Sequence, residues 1–145
     1  MHIVVINGPN LNMLGQREPE RYGSLTLADV ERMISARAGE LGAAVEFFQS
    51  NSEGELITRV QQCRDKADGI ILNPGAYTHT SYALHDALLA AEVPAIEVHI
   101  SNVHQRESWR HVSVTAAACK GQIVGLGTDG YLLALEAFAR MKEGK

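Results

Sequence analysis

The chain has 145 residues, of which 46% are hydrophobic and 21% charged, and its formal net charge is −4. This length predicts one globular domain over residues 1–145, and the acidic balance argues against binding to nucleic acids or anionic membranes. The longest apolar run without a charge, Gly121 to Thr128, is too short to cross a membrane, and the first ten residues do not resemble a secretory signal. Two cysteines without a CxxC pattern favour a reduced, cytoplasmic protein with neither a disulfide framework nor a metal cluster.

Short apolar runs alternate with amphipathic stretches along the chain, a pattern that predicts alternating strands and helices. The first run, HIVVIN, is rich in β-branched residues and stops at Gly8 and Pro9, as a buried strand does. In chain order we expect strand 2–7, helix 27–41, strand 44–49, helix 53–67, strand 69–73, helix 80–91, strand 95–100, strand 122–126 and helix 129–142. This alternation predicts an α/β fold, a three-layer sandwich in which helices cover both faces of a five-stranded parallel sheet. Five strands in a chain of this length suit the flavodoxin-like order 2-1-3-4-5.

Polar side chains collect at the ends of three predicted strands. One cluster begins at Asn7 after the first strand, another at Asn73 after the third, and the last at Glu97 within the fourth. In the order 2-1-3-4-5 these strands are neighbours, and ligands of such sheets bind in the crevice outside the carboxyl ends of the strands. The three clusters are therefore predicted to form one site, although they are far apart in the sequence.

Glu97 and His99 lie two residues apart on a predicted strand, so their side chains point to the same face of the sheet. A carboxylate beside an imidazole can fix its tautomer and stabilise its protonated form, which suits acid–base catalysis. The alternative is an ordinary surface pair, which the position at the crevice disfavours. His79, which stands between two threonines, is interpreted as a ligand-binding group, with a helix-capping role as the alternative.

The connection over residues 8–24 is long for a compact domain, and such connections usually carry function. It places Arg17 and Arg21 near Tyr22, with a glycine at either end, which is typical of a flap over a binding site. A tyrosine needs a lowered pKa to act as a base near neutral pH, and nearby guanidinium groups lower the pKa of a phenol. The alternative is a charged segment exposed to solvent.

A second long connection, residues 101–117, carries Arg106 and Arg110. These arginines suit a substrate carboxylate; the alternative is that they belong to a solvated helical turn.

Other sequence patterns exclude some classes of function. Residues 125–130 fit the pattern GxGxxG, but too little chain follows to complete a dinucleotide-binding unit, so we expect a strand-to-helix turn. No lysine lies in the three polar clusters, which disfavours Schiff-base catalysis.

Five segments of the chain closely resemble type II 3-dehydroquinate dehydratase, or type II dehydroquinase. They read INGPNLNMLGQREPERYG, QSNSEGELI, ILNPGAYTHTSYAL, IEVHISNVHQRESWR and GLGTDGYLLAL. The resemblance implies a flavodoxin-like hydro-lyase that removes water from 3-dehydroquinate by anti elimination, through an enolate, to give 3-dehydroshikimate. It places that reaction in the shikimate pathway of chorismate and aromatic amino-acid biosynthesis. It also implies that no metal or other cofactor takes part, and that the enzyme assembles as a homododecamer, a tetramer of trimers.

The resemblance also implies roles for individual residues. Tyr22 matches the base that abstracts the substrate proton, and Arg17 matches the flap arginine that supports its tyrosinate. His99, held by Glu97, matches the acid that protonates the leaving hydroxyl. Asn10 matches the residue that positions the water stabilising the enolate. The positions that bind substrate correspond to Asn73, His79, Asp86, Ile100, Ser101 and Arg110. Among these, Asp86 is expected to reach the site of a neighbouring subunit.

Three alternatives keep the fold but change the function. The same dehydration can serve the breakdown of quinate instead of biosynthesis. A flavin-binding electron carrier shares the fold, although the connection after the first strand lacks a phosphate cradle rich in serine and threonine. A non-catalytic module that binds hydroxy acids would keep Asn73, His79 and Arg110 without needing Tyr22 or His99.

Overall fold

A computed structural model of the chain describes residues 1–144, except for the side chains of Arg21 and Tyr22. The strands are β1 His2–Asn7, β2 Ala44–Gln49, β3 Gly69–Asn73, β4 Ala95–His99 and β5 Gly121–Val124. The helices are α1 Pro19–Tyr22, α2 Leu27–Glu40, α3 Glu53–Gln62, α4 Tyr82–Ala91 and α5 Asp129–Glu143. In this part of the chain no helix has the length and apolar character that a membrane crossing requires.

The five strands form one parallel sheet in the order β2-β1-β3-β4-β5, as predicted. Neighbouring strands pair in a continuous register, which places Asn7 at the end of β1 beside Asn73 at the end of β3. The carboxyl ends of β1, β3 and β4 therefore meet at one edge of the sheet. This is the crevice at which the sequence places the functional site.

Side chains alternate across the sheet and divide the core into two halves. On one face Ile3 and Val5 belong to a buried cluster that includes residues of α2 and α5. On the other face Val4 and Ile6 join a second buried cluster with residues of α3 and α4. Because both faces are covered, the inner strands are apolar on both sides, which explains their continuous β-branched runs. The three-layer α/β architecture is thus confirmed.

Three element boundaries differ from the sequence prediction for local reasons. Helix α3 ends at Gln62 instead of residue 67, because Asp65 takes a φ of 60°, in the left-handed region where a helix cannot continue. Helix α4 begins at Tyr82 instead of residue 80, because the Ser81 hydroxyl accepts a hydrogen bond from the Leu84 amide as its N-cap. Strand β5 ends at Val124 because Gly125 has a φ of 87°. The remaining bounds agree within one residue, and residues 125–128 form the expected strand-to-helix turn.

The two long connections are more regular than the sequence indicates. The first contains a 3₁₀ turn over Leu11–Met13 and the short helix α1, and the second contains 3₁₀ turns over Val103–Gln105, Ser108–Arg110 and Ala116–Ala118. Such turns satisfy backbone groups locally where no sheet partner is within reach. Both connections stand at the edge of the sheet where the polar clusters meet.

Candidate active site

A cavity of about 140 Å³ opens at the carboxyl ends of β1, β3 and β4. The predicted site residues that line it are Asn10, Arg17, Asn73, His79, His99, Ile100, Ser101 and Arg110. Arg106 from the second long connection lines it as well. The structure therefore brings together residues from three separate stretches of sequence, 9–17, 73–79 and 99–110, as the convergence of strand ends predicts.

His99 stands at the end of β4 with only 7% of its surface exposed, and Glu97 behind it is fully buried. The Nε2 atom of His99 lies 2.9 Å from the Oε2 atom of Glu97. Because an ionised carboxylate only accepts hydrogen bonds, Nε2 carries the proton that joins the pair. The other ring nitrogen, Nδ1, is then the one left to exchange a proton with a ligand.

Hydroxyl and amide groups surround the Glu97 carboxylate in what we call the Glu97 cluster, formed by Thr78, Ser113, Thr115 and Gln122. Oε2 accepts hydrogen bonds from Thr78 at 3.0 Å, Ser113 at 2.9 Å and Gln122 at 2.5 Å, and Oε1 accepts one from Thr115. Burial acts to raise the pKa of Glu97. The hydrogen bond and charge of His99 and the hydrogen bonds from Thr115 and Gln122 outweigh it and bring the pKa below its ordinary value. Glu97 is thus a fixed anion behind His99.

His79 is held in one tautomer at the rim of the cavity. Its Nδ1 atom lies 2.8 Å from the Val112 carbonyl oxygen, which can only accept, so Nδ1 is the donor. Burial lowers the pKa of His79, and the charges of His99 and Arg110 act in the same direction. The ring is therefore neutral near pH 7 and keeps Nε2 as a hydrogen-bond acceptor. Trp109 meets it edge to face, with ring centroids 5.4 Å apart.

Three guanidinium groups, from Arg17, Arg106 and Arg110, give the cavity its charge. The Arg106 side chain is 6% exposed, donates to the Ser101 hydroxyl at 3.3 Å and lies 3.9 Å from the carboxylate of Glu18 in the first connection. Arg110 pairs with Glu107, and its guanidinium lies 4.0 Å from the centre of the Trp109 ring. No acidic side chain lines the cavity in the described part of the chain, so its polarity favours an anionic ligand.

The backbone positions Asn10 at the mouth of the cavity. Asn10 takes a φ of 70°, a left-handed conformation that asparagine tolerates better than most residues. The backbone N–H of Asn10 donates to the side-chain oxygen of Asn51 at 3.0 Å. The same oxygen also accepts from the side-chain amide of Gln49 at 3.2 Å. These bonds tie the start of the first connection to the end of β2.

Comparison with known proteins decides the family. Residues 1–139 match the family model described as Dehydroquinase class II. The chain belongs to that family. Class II dehydroquinases are hydro-lyases, so the flavin carrier and the non-catalytic module are set aside as alternatives.

Relatives of the class II dehydroquinase family align over almost the whole chain. The Catabolic 3-dehydroquinase 1 of Aspergillus terreus is 58% identical over 137 residues, which cover 94% of this chain and 90% of the relative. The 3-dehydroquinate dehydratase of Caldicellulosiruptor bescii is 58% identical over 136 residues, which cover 93% of this chain and 94% of the relative. The crystal structure of the type II dehydroquinase from Butyrivibrio crossotus has a TM-score of 0.93 at 48% identity, covering 95% of this chain and 97% of that chain. The resemblance read from the sequence is confirmed.

Two residues assigned from the dehydroquinase resemblance, Asp86 and Tyr22, keep their roles only as predictions. Asp86 lies on α4, away from the side chains that line the cavity, and its contact with a second subunit stays a prediction. Tyr22, the predicted base, ends helix α1, but its side chain is outside the described part of the structure. Its proximity to Arg17 therefore stays a prediction as well.

Sequence reasoning missed the Glu97 cluster, because its members come from three different segments and carry no motif. The only signal was indirect: Thr78 precedes His79, and Ser113 and Thr115 alternate toward the end of a connection already expected to carry function. Within the described residues, no group of three or more His, Cys, Asp or Glu side chains is arranged to hold a metal ion. The donors around Glu97 are hydroxyls, an amide and the His99 imidazole, which suit a carboxylate anion.

Proposed function

We propose that this chain dehydrates 3-dehydroquinate to 3-dehydroshikimate by anti elimination through an enolate, with Tyr22 as base and His99 as acid. The base takes the proton from the carbon next to the ketone, and the charge moves onto the ketone oxygen. His99 then protonates the hydroxyl on the neighbouring carbon, which leaves as water. Family membership supports the reaction, and the His99–Glu97 pair at the cavity is the observation that carries the mechanism.

The acid half of this mechanism is supported by the geometry of His99. A general acid must hold a proton at the atom that faces the substrate and regain it after each turnover. Glu97 is fully buried and accepts a hydrogen bond from Nε2–H, which leaves Nδ1 for the leaving hydroxyl. The carboxylate at 2.9 Å also fixes the orientation of the ring and the tautomer that the proposed acid uses.

The charge of the cavity supports the choice of substrate class. 3-Dehydroquinate carries one carboxylate, one ketone and several hydroxyls on a compact ring. The guanidinium groups of Arg106 and Arg110 suit the carboxylate, and neutral His79 offers an acceptor to a hydroxyl. The Asn73 amide and the backbone around Ile100 and Ser101 supply further polar contacts to such a ring.

For the base, the support comes from chain connectivity. Arg17 lines the cavity, and Tyr22 follows it by five residues on a segment that includes the short helix α1. A guanidinium close to the phenol would favour its ionised form, and a phenolate is a competent base for a proton next to a ketone. Asn10, at the cavity mouth, is proposed to hold the water that stabilises the enolate. No cofactor is required, because removal of that proton is acid–base chemistry.

The direct test follows the absorbance of the enone formed in 3-dehydroshikimate, using purified protein and 3-dehydroquinate. We expect wild-type protein to turn over and Tyr22→Phe to lower kcat by roughly 10²–10⁴-fold, the usual contribution of a general base. Tyr82→Phe is the matched control, because Tyr82 lies on α4 and does not line the cavity, and its kcat should not change. Near-normal kcat for Tyr22→Phe would remove the base assignment, and an inactive wild type would contradict the function itself.

The biological role is proposed to be the shikimate pathway of aromatic amino-acid biosynthesis. Breakdown of quinate is the second candidate, because a relative named as catabolic is 58% identical, as is one named simply as a dehydratase. The chemistry is the same in both, so the test is genetic. Deletion of the gene should create a requirement for aromatic amino acids; loss of growth on quinate alone would favour the catabolic role.

We also propose a cytoplasmic homododecamer, with residues 1–145 as one domain. Both cysteines, Cys63 and Cys119, are free thiols, as expected in a reducing compartment. Large apolar side chains are exposed on the single chain at Tyr82, Leu89, Trp109, Val112, Leu126 and Leu133. A stable assembly would cover such groups. Light scattering should give twelve times the chain mass, and a monomer at micromolar concentration would contradict the assembly.

A further inference from the structure

The hydroxyl of Tyr131 lies fully buried beneath the cavity, between two asparagine side chains. It donates to Asn7 Oδ1 at 2.6 Å and accepts from Asn73 Nδ2 at 2.9 Å. Asn7 and Asn73 end the neighbouring strands β1 and β3 and are partners in register, so both side chains point to the α5 face. We call these three residues the Tyr131 cluster. Tyr131 and Asn7 do not line the cavity, but Asn73 does.

The hydrogen bonds of this cluster leave the Asn73 amide one orientation. The phenol has a single proton, which goes to Asn7, so the phenol oxygen must accept from the Nδ2 atom of Asn73. On its other side, Asn73 Oδ1 accepts from the Gly75 amide at 3.1 Å. If the side-chain amide flipped, its nitrogen would face the Gly75 N–H and its oxygen would face the phenol oxygen, so both the Gly75 N–H and the Asn73 Nδ2 group would lose their partners. One Nδ2 proton and one Oδ1 lone pair stay free for other partners.

The packing of α5 against the sheet places the Tyr131 hydroxyl between Asn7 and Asn73. Tyr131 lies in the first turn of α5, and the residue before it is Gly130. A Cβ atom at Gly130 would lie 3.0 Å from Val98 Cγ1, which is tighter than ordinary van der Waals contact. The missing side chain thus lets the start of α5 approach the sheet. Burial also raises the pKa of Tyr131, so the phenol keeps its proton at every working pH.

We propose that Tyr131 is a positioning residue, which fixes the orientation of the Asn73 amide so that Asn73 presents one donor and one acceptor to the substrate. This inference rests on the proposed role of Asn73 in substrate binding. Without the phenol, only the hydrogen bond from the Gly75 amide would hold this orientation, so the side chain would reach the flipped orientation more often, and only one orientation would match the substrate. We expect the loss to raise KM and leave kcat nearly unchanged, because the buried phenol does not line the cavity.

The test is a double-mutant cycle of Tyr131→Phe and Asn73→Ala, with KM and kcat measured by the enone assay. We expect Tyr131→Phe to raise KM by about five- to tenfold, while kcat changes by less than about twofold. Asn73→Ala should raise KM by at least as much. In the Asn73→Ala background, Tyr131→Phe should add less than about twofold, because the amide that it orients is gone.

Each outcome of the cycle has one meaning. Unchanged KM for Tyr131→Phe, or full additivity with Asn73→Ala, would overturn the positioning role alone. Unchanged KM for Asn73→Ala would overturn the binding role of Asn73, and with it the inference. Neither result touches the dehydratase activity, which the wild-type assay tests separately.

Two further variants separate positioning from a general loss of stability. Asn7→Ala removes the acceptor that orients the phenol without touching the cavity, and we expect a rise in KM of about two- to fivefold. Phe138→Leu is the matched control, because Phe138 lies on the same helix at the other end of the sheet, over Gly69. It should lower the unfolding temperature and leave KM unchanged. If Phe138→Leu raised KM as much as Tyr131→Phe does, the effect would be structural and the proposal would fail.

Discussion

Two buried polar clusters support the same cavity from opposite faces of the sheet, and they are built differently. The Glu97 cluster lies on the side of α4 and holds a charge, with five hydrogen bonds from four side chains and one imidazole. The Tyr131 cluster lies on the side of α5 and is neutral. Its hydrogen bonds form a single chain from the Gly75 N–H through Asn73 and Tyr131 to Asn7. A buried charge is stabilised by many donors, whereas a neutral amide is oriented when its nitrogen faces an acceptor and its oxygen faces a donor. The first cluster suits a group that transfers protons and the second a group that binds.

This difference predicts that the charged cluster controls kcat and the neutral one controls KM. The largest effect is expected for His99→Ala, which should lower kcat by roughly 10²–10⁴-fold. Glu97→Gln keeps the shape but removes the charge, and it should lower kcat by a smaller factor. The enone assay measures both.

A matched control for His99→Ala exists in the same sheet. His2 and Glu46 form a second His–carboxylate pair at 2.6 Å, on β1 and β2 away from the cavity. His2→Ala should leave kcat unchanged. A substrate with a better leaving group should restore part of the activity of His99→Ala; an equal loss on both substrates would show that His99 only binds.

The hydroxyls around Glu97 are expected to have an intermediate effect. Thr115→Val removes one hydrogen bond to the carboxylate and keeps the shape of the side chain, so kcat should fall by about tenfold with little change in KM. Stability should fall by about 1–3 kcal/mol, because a bond to a buried charged group is lost. Thr58→Val on the exposed side of α3 is the control and should change neither quantity. A rise in KM without a fall in kcat would contradict the division between the clusters.

The pairing of Glu97 with His99 could be predicted from the sequence because a local rule determines it. Glu97 and His99 share a face through the two-residue period of a strand, and Asn7 and Asn73 end strands whose order follows from the alternation of elements. These rules involve only the chain near each residue and the general topology of parallel sheets. For the same reason the strand order and most boundaries were predicted correctly.

The supporting residues could not be predicted, because their roles depend on contacts between distant segments. Ser113, Thr115 and Gln122 reach Glu97 only after the second connection has folded against α4 and β5. Tyr131 reads from the sequence as an ordinary apolar position of a helix, and its polar role appears only when α5 lies on the sheet. The role predicted for Asp86 requires a neighbouring subunit, so a single chain does not test it.

The smallest expected effect is on stability in acid and distinguishes the two clusters once more. Because the folded state holds the pKa of Glu97 below its ordinary value of 4.5, the ionised carboxylate stabilises the fold above that pH, and this contribution is lost as pH falls through the folded pKa. Glu97→Gln has no such contribution. The difference in unfolding free energy between wild type and Glu97→Gln should therefore shrink as pH falls from 6 to about 3, at one fixed protein concentration. The difference between wild type and Tyr131→Phe should stay constant over the same range, since a phenol that keeps its proton does not titrate there. A constant gap for Glu97→Gln would mean that the cluster does not hold the carboxylate in its charged form.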